Sequence, residues 1–292
     1  MFQSAIASLL ALLLASGVAL AQPAAQAPAA DAPKTEAPAG DPARTGPPKK
    51  PAYEPQVGQS GKDVVWVPTP QDTVDRMLDM AAAKPGDYVI DLGSGDGRTV
   101  ITAAKRGIRA FGVEYNPDMV ELSRRAVAQA GVADRARIVQ GDIFKTDFSK
   151  ATVLTMYLLP RLNLRLRPTI LRMKPGTRVV SHSFHMEDWE PDGGFNASND
   201  NCKEHCLAYF WVVPARVAGA WSIPQGTLRL EQKFQKFTGT LRTGGKTLKI
   251  EDGRVRGEEI AFSAGGVRYS GTVRGRKMSV VMVEPVSKPA KP

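Results

Sequence analysis

The stretch YVIDLGSGDGRTV at residues 88–100 constrains the fold more than any other part of the chain. Its first five residues are apolar or aromatic except for Asp91, which is typical of a buried strand. Gly93, Gly95 and Gly97 then make a tight turn, and a helical pattern follows. A strand that passes through a glycine-rich turn into a helix usually opens a parallel α/β sheet that binds a nucleotide-like cofactor.

Helical and apolar runs alternate from residue 64 onward, which predicts a Rossmann-like, doubly wound α/β sheet. The predicted helices cover residues 71–83, 97–106, 117–131 and 163–173. The predicted strands cover residues 88–92, 110–113, 137–139, 151–158, 178–184 and 207–213. After Pro214, short alternating runs separated by glycine turns predict an antiparallel β-meander curled into a small barrel or half-barrel.

The first residues have the pattern of an export signal. Residues 5–20 are apolar or small, and the Ala19-Leu20-Ala21 sequence fits a signal-peptidase site. We predict a signal peptide at residues 1–21, cleaved near Ala21, and a periplasmic protein. The first basic side chain is Lys34, so two alternatives stay open. One is an uncleaved membrane anchor, and the other is a cytoplasmic protein whose start is misassigned.

The rest of the chain divides by composition. We predict a disordered Ala/Pro-rich linker at 22–56, a cofactor-binding domain at 57–214, a basic all-β module at 215–286 and a tail at 287–292. Residues 216–292 hold fifteen Lys or Arg and six Asp or Glu, so they carry +9 of the net charge of +10. Such a surface attracts anionic partners. We expect the module to dock the substrate or to contact a membrane surface peripherally, and simple packing against the cofactor-binding domain stays open as the alternative.

The charges around the glycine turn indicate which cofactor it holds. The spacing is one residue shorter than the dinucleotide fingerprint GxGxxG. Asp91 and Asp96 would repel a pyrophosphate, which argues against a nicotinamide oxidoreductase. The same carboxylates suit the ammonium and sulfonium groups of S-adenosylmethionine.

Acidic residues also close the next two strands. Glu114 stands where a carboxylate accepts both ribose hydroxyls of an adenosine cofactor. Asp142 is placed to receive the adenine amino group, and Ile143 to pack on the ring. Each acid alone is equally compatible with capping a turn, but four at the ends of consecutive strands favour a binding site. We add Ser94, in the turn, and Tyr115, beside Glu114, to the predicted cofactor contacts.

Three motifs, WVPTPQDTVDRML, DLGSGDGR and YLLP, resemble those of class I S-adenosylmethionine-dependent methyltransferases. They are similar in particular to a bacterial and mitochondrial group that includes the lysine methyltransferase acting on the c subunit of ATP synthase. The resemblance covers about residues 66–213 and implies a seven-stranded sheet with one antiparallel strand. It also implies that Asp91, Gly93, Gly95, Glu114 and Asp142 hold the cofactor, and that the VPTP segment covers it.

The methyl acceptor is expected at the ends of the fourth and fifth strands. The candidate catalytic residues are Tyr157, His182 and His185, although a histidine there is often only a polar neighbour. The candidate substrate contacts are Pro160, Asn163 and Trp189, and Asn163 also has the alternative of capping the next helix.

The YLLP sequence lacks the Asn/Asp-Pro-Pro-aromatic pattern of enzymes that methylate nucleic-acid amino groups or glutamine. We therefore expect a protein lysine, or another amine, as the acceptor. A membrane protein is one of the substrates that this expectation covers. Nucleic acid is disfavoured. The alternative function is an exported binding protein without catalysis that acts through its basic β-module.

The chain has two cysteines, Cys202 and Cys206, in the sequence CKEHC. Although His205 lies between them, no second pair of ligands exists in the chain, so we predict no metal site. A disulfide and two free thiols both remain open.

Overall fold

The computed structural model describes residues 53–196 and 206–285, and for residues 284 and 285 it describes the backbone alone. The predicted signal peptide, most of the linker, Cys202, His205 and the whole tail lie outside the described residues. Cys206 is disulfide-bonded. Within the described ranges, no helix is both long enough and apolar enough to cross a bilayer.

The first sheet has seven strands in the order β3-β2-β1-β4-β5-β7-β6. All neighbours from β3 to β5 are parallel, and β7 is antiparallel to both β5 and β6. The elements are α1 Gln71–Met80, β1 Tyr88–Leu92, α2 Arg98–Lys105, β2 Arg109–Glu114, α3 Pro117–Gln129, β3 Ala136–Gln140, β4 Val153–Met156, α4 Pro160–Ile170, β5 Arg178–His182, β6 Gly193–Asn196 and β7 Leu207–Val212. This arrangement confirms the predicted doubly wound sheet with its antiparallel strand.

Helices cover both faces of the sheet. Neighbouring residues of a strand point to opposite faces, so apolar residues at successive positions need a helix on each side. Val89 of β1 packs in one apolar cluster with α1, α2 and α3. Ile90, the next residue, packs in a second cluster with α4. The strands are therefore buried on both sides, and their carboxyl ends are left to form a site.

Several predicted boundaries were wrong, among them the end of β5, which lies at His182 rather than at residue 184. α4 begins at Pro160, three residues before the predicted start, because proline suits the first helical position. α1 ends at Met80 rather than at residue 83. The Arg178 guanidinium donates to the carbonyls of Ala81 and Ala82 at 2.8 and 3.0 Å, which fixes this end. β4 is shorter than predicted and ends before Tyr157.

The second sheet is a seven-stranded antiparallel meander in sequence order, β8 to β14. Its strands are β8 Gly219–Ile223, β9 Gly226–Lys233, β10 Lys236–Thr243, β11 Lys246–Arg256, β12 Glu259–Ala264, β13 Val267–Arg274 and β14 Lys277–Pro285. The edge strands β8 and β14 approach each other, so the sheet forms a nearly closed barrel. The sequence predicted six of these strands, and it missed β8 because GAWSI is short and lacks an alternating pattern.

The alternating pattern of the module predicts a core of five aromatic residues, Trp221, Phe234, Phe237, Phe262 and Tyr269, and the structure divides them in two. Phe237, Phe262 and Tyr269 are buried in the barrel, and Trp221 packs against them. Phe234 instead packs with the core of the first sheet, where its ring lies 5.9 Å from that of Trp189. The prediction of a core role within the module was therefore wrong for Phe234.

An acidic segment at residues 187–192 joins the two sheets. Trp189 within it is fully buried, and its backbone oxygen accepts from the indole of Trp211 at 2.9 Å. Three cations of the module pair with acids of this segment: Lys233 with Asp188 at 3.2 Å, Lys236 with Glu190 at 2.6 Å and Arg254 with Asp192 at 2.7 Å. Part of the module's positive charge is thus compensated at this junction.

Candidate active site

A cavity lies at the carboxyl ends of β1 to β4. All eight predicted cofactor contacts line it: Asp91, Gly93, Ser94, Gly95, Glu114, Tyr115, Asp142 and Ile143. The structure thus brings together residues from separate strand ends, as the topology of a parallel sheet requires. Their role in binding the cofactor stays a prediction.

The glycine turn allows the backbone to line the cavity directly. Gly93 and Gly95 have φ angles of 76° and 53°, which side-chain-bearing residues rarely adopt. A Cβ atom on Gly95 would lie 2.8 Å from the indole nitrogen of Trp66. Glycine is therefore required at this position both for backbone conformation and for space.

Glu114 holds this turn in place. Its two carboxylate oxygens accept hydrogen bonds from the backbone N–H groups of Gly95 and Asn116, both at 2.9 Å. A carboxylate has about four lone-pair sites, so capacity for further donors remains. Glu114 therefore caps a turn and also faces the cavity, which combines the two alternatives drawn from the sequence.

Asp91 is buried beneath the turn and is the most perturbed acid of the site. Its Oδ1 accepts from the hydroxyl of Thr155 at 2.6 Å. Burial raises the pKa of Asp91 to about 7, and repulsion from Asp96 and Glu114 adds to this, although the Thr155 hydrogen bond opposes it. A cation bound near Asp91 would therefore stabilise the ionised form of this carboxyl group near neutral pH.

The charges of the site fit S-adenosylmethionine. Arg98 pairs with Asp96 at 2.5 Å. Among the described residues, no lysine or arginine forms an ion pair with Asp91 or Glu114. The hydroxyl of Ser94 is buried in the cavity wall and has no hydrogen-bond partner within residues 53–196 and 206–285. Two uncompensated carboxylates beside a glycine turn suit a cofactor with a positive charge and adenosine hydroxyls.

Lys62 is a cavity residue that the sequence did not reveal. Its ammonium lies 2.8 Å from Oδ2 of Asp142 and 4.5 Å from the ring centre of Tyr115. The hydrogen bond from Lys62 lowers the pKa of Asp142, and Oδ1 of the same carboxylate accepts from the Phe144 N–H at 2.9 Å. Lys62 precedes Asp142 by 80 residues in a segment without periodic pattern, so no sequence signal linked them.

The segment before α1 forms one wall of the cavity. Residues Lys62 to Thr69 all line it, including Val67, Pro68 and Thr69 of the VPTP motif. Arg98 ties this wall to the glycine turn by donating to the Thr69 carbonyl at 2.8 Å. Three residues of the VPTP segment thus line the cavity, and their role in covering a bound cofactor stays a prediction.

Another part of the cavity wall is apolar and aromatic and holds Met156, Tyr157, Leu158 and Leu162. It adjoins the glycine turn, since a Cβ on Gly93 would lie 3.1 Å from the Leu158 side chain. Burial raises the pKa of Tyr157, so its phenol stays protonated at neutral pH. The ring of His182 lies 4.1 Å from that of Tyr157, and its Nδ1 is 3.0 Å from the hydroxyl of Thr69. His182 is 1% exposed, so it supports two cavity residues from behind.

The other predicted acceptor residues do not line the cavity. His185 is exposed, and its Nδ1 accepts from the Glu187 N–H at 2.8 Å. Trp189 is buried at the junction with the module. The structure brings neither of these two residues to the cavity, and their roles as a catalytic residue and a substrate contact stay predictions without geometric support.

Pro160 and Asn163 lie on α4, which also carries the cavity residue Leu162. Asn163 is fully buried and donates from Nδ2 to Ser181 Oγ at 3.1 Å and to the Phe184 carbonyl at 3.2 Å. The capping role weighed for Asn163 was wrong, because α4 begins at Pro160. Its amide connects α4 to the end of β5.

Comparisons with known proteins agree with this geometry. The model of the ANTKMT methyltransferase domain matches residues 91–193. A protein-lysine N-methyltransferase of Saccharolobus islandicus is 42% identical over 153 residues, which is 51% of this chain and 94% of that protein. The lysine N-methyltransferase of the ATP synthase c subunit from Homo sapiens is 34% identical over 128 residues, which is 44% of this chain.

The matches differ in extent. The chain spans 54% of the human enzyme and 64% of its counterpart in Xenopus laevis, which is 32% identical. Among solved structures, an RNA methyltransferase of Salinibacter ruber in complex with S-adenosyl-L-homocysteine is 45% identical. That match covers 52% of this chain and 96% of the other, with a TM-score of 0.48.

Proposed function

We propose that this chain, which belongs to the class I S-adenosylmethionine-dependent methyltransferases with an ANTKMT-type domain, methylates the ε-amino group of a protein lysine. S-adenosylmethionine, when bound, supplies the methyl group on a positively charged sulfur. The cofactor is held by Asp91, Glu114, Asp142 and the glycine turn. The names of the relatives, which specify lysine in proteins, support this choice of acceptor.

The observation that carries the proposal is that one cavity has both acidic and apolar residues in its wall. The acidic part of the wall holds Asp91 and Glu114, which form no ion pair with a described lysine or arginine. The apolar part holds Tyr157 and Leu158, which follow β4. A cationic donor and an amine acceptor require these two environments side by side.

The apolar part of the cavity wall is expected to favour the neutral form of the acceptor amine. A lysine amine has a pKa near 10.4 in water and must lose a proton before it attacks. Contact with Leu158 and the ring of Tyr157 disfavours the ammonium form and lowers that pKa. His182 fixes Tyr157 from behind, so the chain contributes desolvation and alignment, and alignment alone lowers a barrier substantially.

We also propose that the protein acts outside the cytoplasm or at the membrane. Its substrates are proteins with an accessible lysine, membrane proteins among them. The apolar residues 5–20 and the signal-peptidase site support export. The disulfide at Cys206 also supports it, because disulfides persist in oxidising compartments. Mass spectrometry of the protein recovered from the periplasm of an expressing bacterium tests this proposal, and the expected mass is that of the chain without residues 1–21. Recovery of the protein from the cytoplasm with residues 1–21 still attached would contradict it.

The test of lysine methylation uses the full chain, S-adenosylmethionine with a labelled methyl group, and separated soluble-protein, membrane-protein and RNA fractions. Label in protein, assigned to methyllysine by mass spectrometry, is the expected result. Asp91→Asn is the matched control, since it removes one charge at nearly constant volume. Label in RNA, or on a protein residue other than lysine, would overturn the lysine assignment.

A further inference from the structure

The two ends of the barrel have different surroundings. The turns at residues 234–235 and 257–258 lie at one end, where Phe234 stacks on Trp189 and a Cβ on Gly257 would lie 3.1 Å from Gly176. The other end holds the turns at 224–225, 244–245 and 265–266 and the last residues of β14. Because strand direction alternates in a meander, these features share one end, which we call the distal end.

Three exposed cations lie at the distal end. Arg242, Lys246 and Arg268 stand at strand ends that meet the distal turns, and all three are exposed. Among the described residues none of the three forms a salt bridge, whereas three cations at the junction do. In the strand register the acidic Glu284 stands opposite Arg268. The distal end is therefore an exposed surface with a positive balance.

Apolar side chains lie on the distal half of β14, and in the strand register Met282 stands opposite Tyr269, the residue after Arg268. Val281, Met282 and Val283 are consecutive on β14 and are 58%, 60% and 50% exposed. β14 is hydrogen-bonded to β13 on one side and approaches β8 on the other, where Gln225 donates from Nε2 to the Val280 carbonyl at 3.1 Å. Three consecutive exposed apolar side chains are unusual on the surface of a folded protein and point to a partner.

We propose that the distal end of the barrel docks on a bilayer surface that carries anionic headgroups. The cations are attracted to such a surface, and the aliphatic side chains gain by entering its interfacial layer. Nucleic acid offers the same phosphate charge but favours exposed aromatic platforms. The exposed large hydrophobic residues of the described module are the three aliphatic ones of β14, so lipid fits better.

The test measures partition of the full chain between buffer and vesicles. One set of vesicles is phosphatidylcholine, and the other is an equal mixture with phosphatidylglycerol. The informative quantity is the ratio of the two partition coefficients. The largely apolar residues 1–21 contribute to binding of both kinds of vesicle in every variant, and this contribution cancels in the ratio. Neutralising all three cations with R242Q, R268Q and K246Q is expected to lower this ratio about a hundredfold. Met282→Gln with Val283→Thr is expected to lower partition into both vesicles about tenfold.

The matched control neutralises three exposed cations near the junction end, with R256Q, R276Q and K277Q. It has the same net charge and is expected to keep most of the parent's ratio. Circular dichroism melting shows that each variant is folded, and lysine methylation of a soluble protein remains as in the parent. Equal losses in both triple variants, no preference of the parent for anionic vesicles, or tighter binding to a DNA oligonucleotide than to vesicles would each overturn the proposal.

Discussion

Replacing Thr155 by valine removes the hydroxyl that donates to buried Asp91 at 2.6 Å while keeping the shape of the side chain. A hydrogen bond to an ionised group contributes about 1.5–3 kcal/mol, and one pKa unit corresponds to about 1.4 kcal/mol. The pKa of Asp91, which burial raises to about 7 in the parent, is therefore expected to rise by about one unit or more.

The consequence for cofactor binding depends on pH in a defined way. If the ammonium of S-adenosylmethionine requires ionised Asp91, the affinity ratio of parent to variant follows the ratio of ionised fractions. For a shift of one unit, this ratio is about ninefold at pH 6, about fivefold at pH 7 and close to one at pH 9. Titration of the cofactor itself cancels, because both proteins are compared at the same pH.

Calorimetric titration of the full chain at these pH values measures the ratio. Thr155→Ser is the control, since serine keeps the hydroxyl and is expected to bind with the parent's pH dependence. A ratio that is the same at every pH would show that Thr155 acts through packing rather than through the charge of Asp91. A ratio near one throughout would refute the electrostatic role of the hydrogen bond.

Three further predictions concern stability and the turn. Asp91 keeps a proton in the folded state that the unfolded chain releases above pH 4, so the free energy of unfolding falls as the pH rises toward 7. Asp91→Asn should therefore raise the free energy of unfolding at pH 8 by up to roughly 4 kcal/mol and change it little at pH 4. The cofactor should no longer shift the melting temperature of this variant. Gly95→Ala should weaken cofactor binding at least about tenfold and shift tryptophan fluorescence by displacing Trp66, whereas Gly86→Ala, which has a positive φ but no atom within 4 Å of the new Cβ, should leave both unchanged. Arg254→Gln should destabilise the fold by about 2 kcal/mol, since Asp192 is 1% exposed, whereas Lys236→Gln removes an exposed pair and should leave the melting temperature nearly unchanged.

The sequence predicted the first sheet and the acidic part of its cavity wall because both depend on local patterns. Apolar runs mark the strands, and acids follow them at Asp91, Glu114 and Asp142. In a parallel sheet the ends of successive strands meet, so their acids come together without knowledge of distant contacts. The short strand β6, with the sequence GGFN, has no such pattern and was missed.

Contacts between distant segments were not predictable in this way. Lys62 reaches Asp142 from a segment without regular structure, and Trp189 turns toward Phe234 of the module rather than toward the cavity. Phe234 itself has a φ angle of +53° in the turn between β9 and β10, which directs it away from the alternating pattern of its strand. The choice between cavity and junction for an aromatic residue requires the three-dimensional arrangement.

Glu114 shows why the choice between a structural and a functional role is often a false one. It holds the Gly95 and Asn116 N–H groups before any ligand arrives, and so it shapes the turn that receives the cofactor. Its negative charge also raises the pKa of Asp91, in addition to the larger effect of burial. The acids that prepare this site for a cation therefore destabilise the free protein near neutral pH, and a bound cation relieves part of that repulsion. Stabilisation by the cofactor is thus expected to be larger than the contacts of its ammonium group alone would provide.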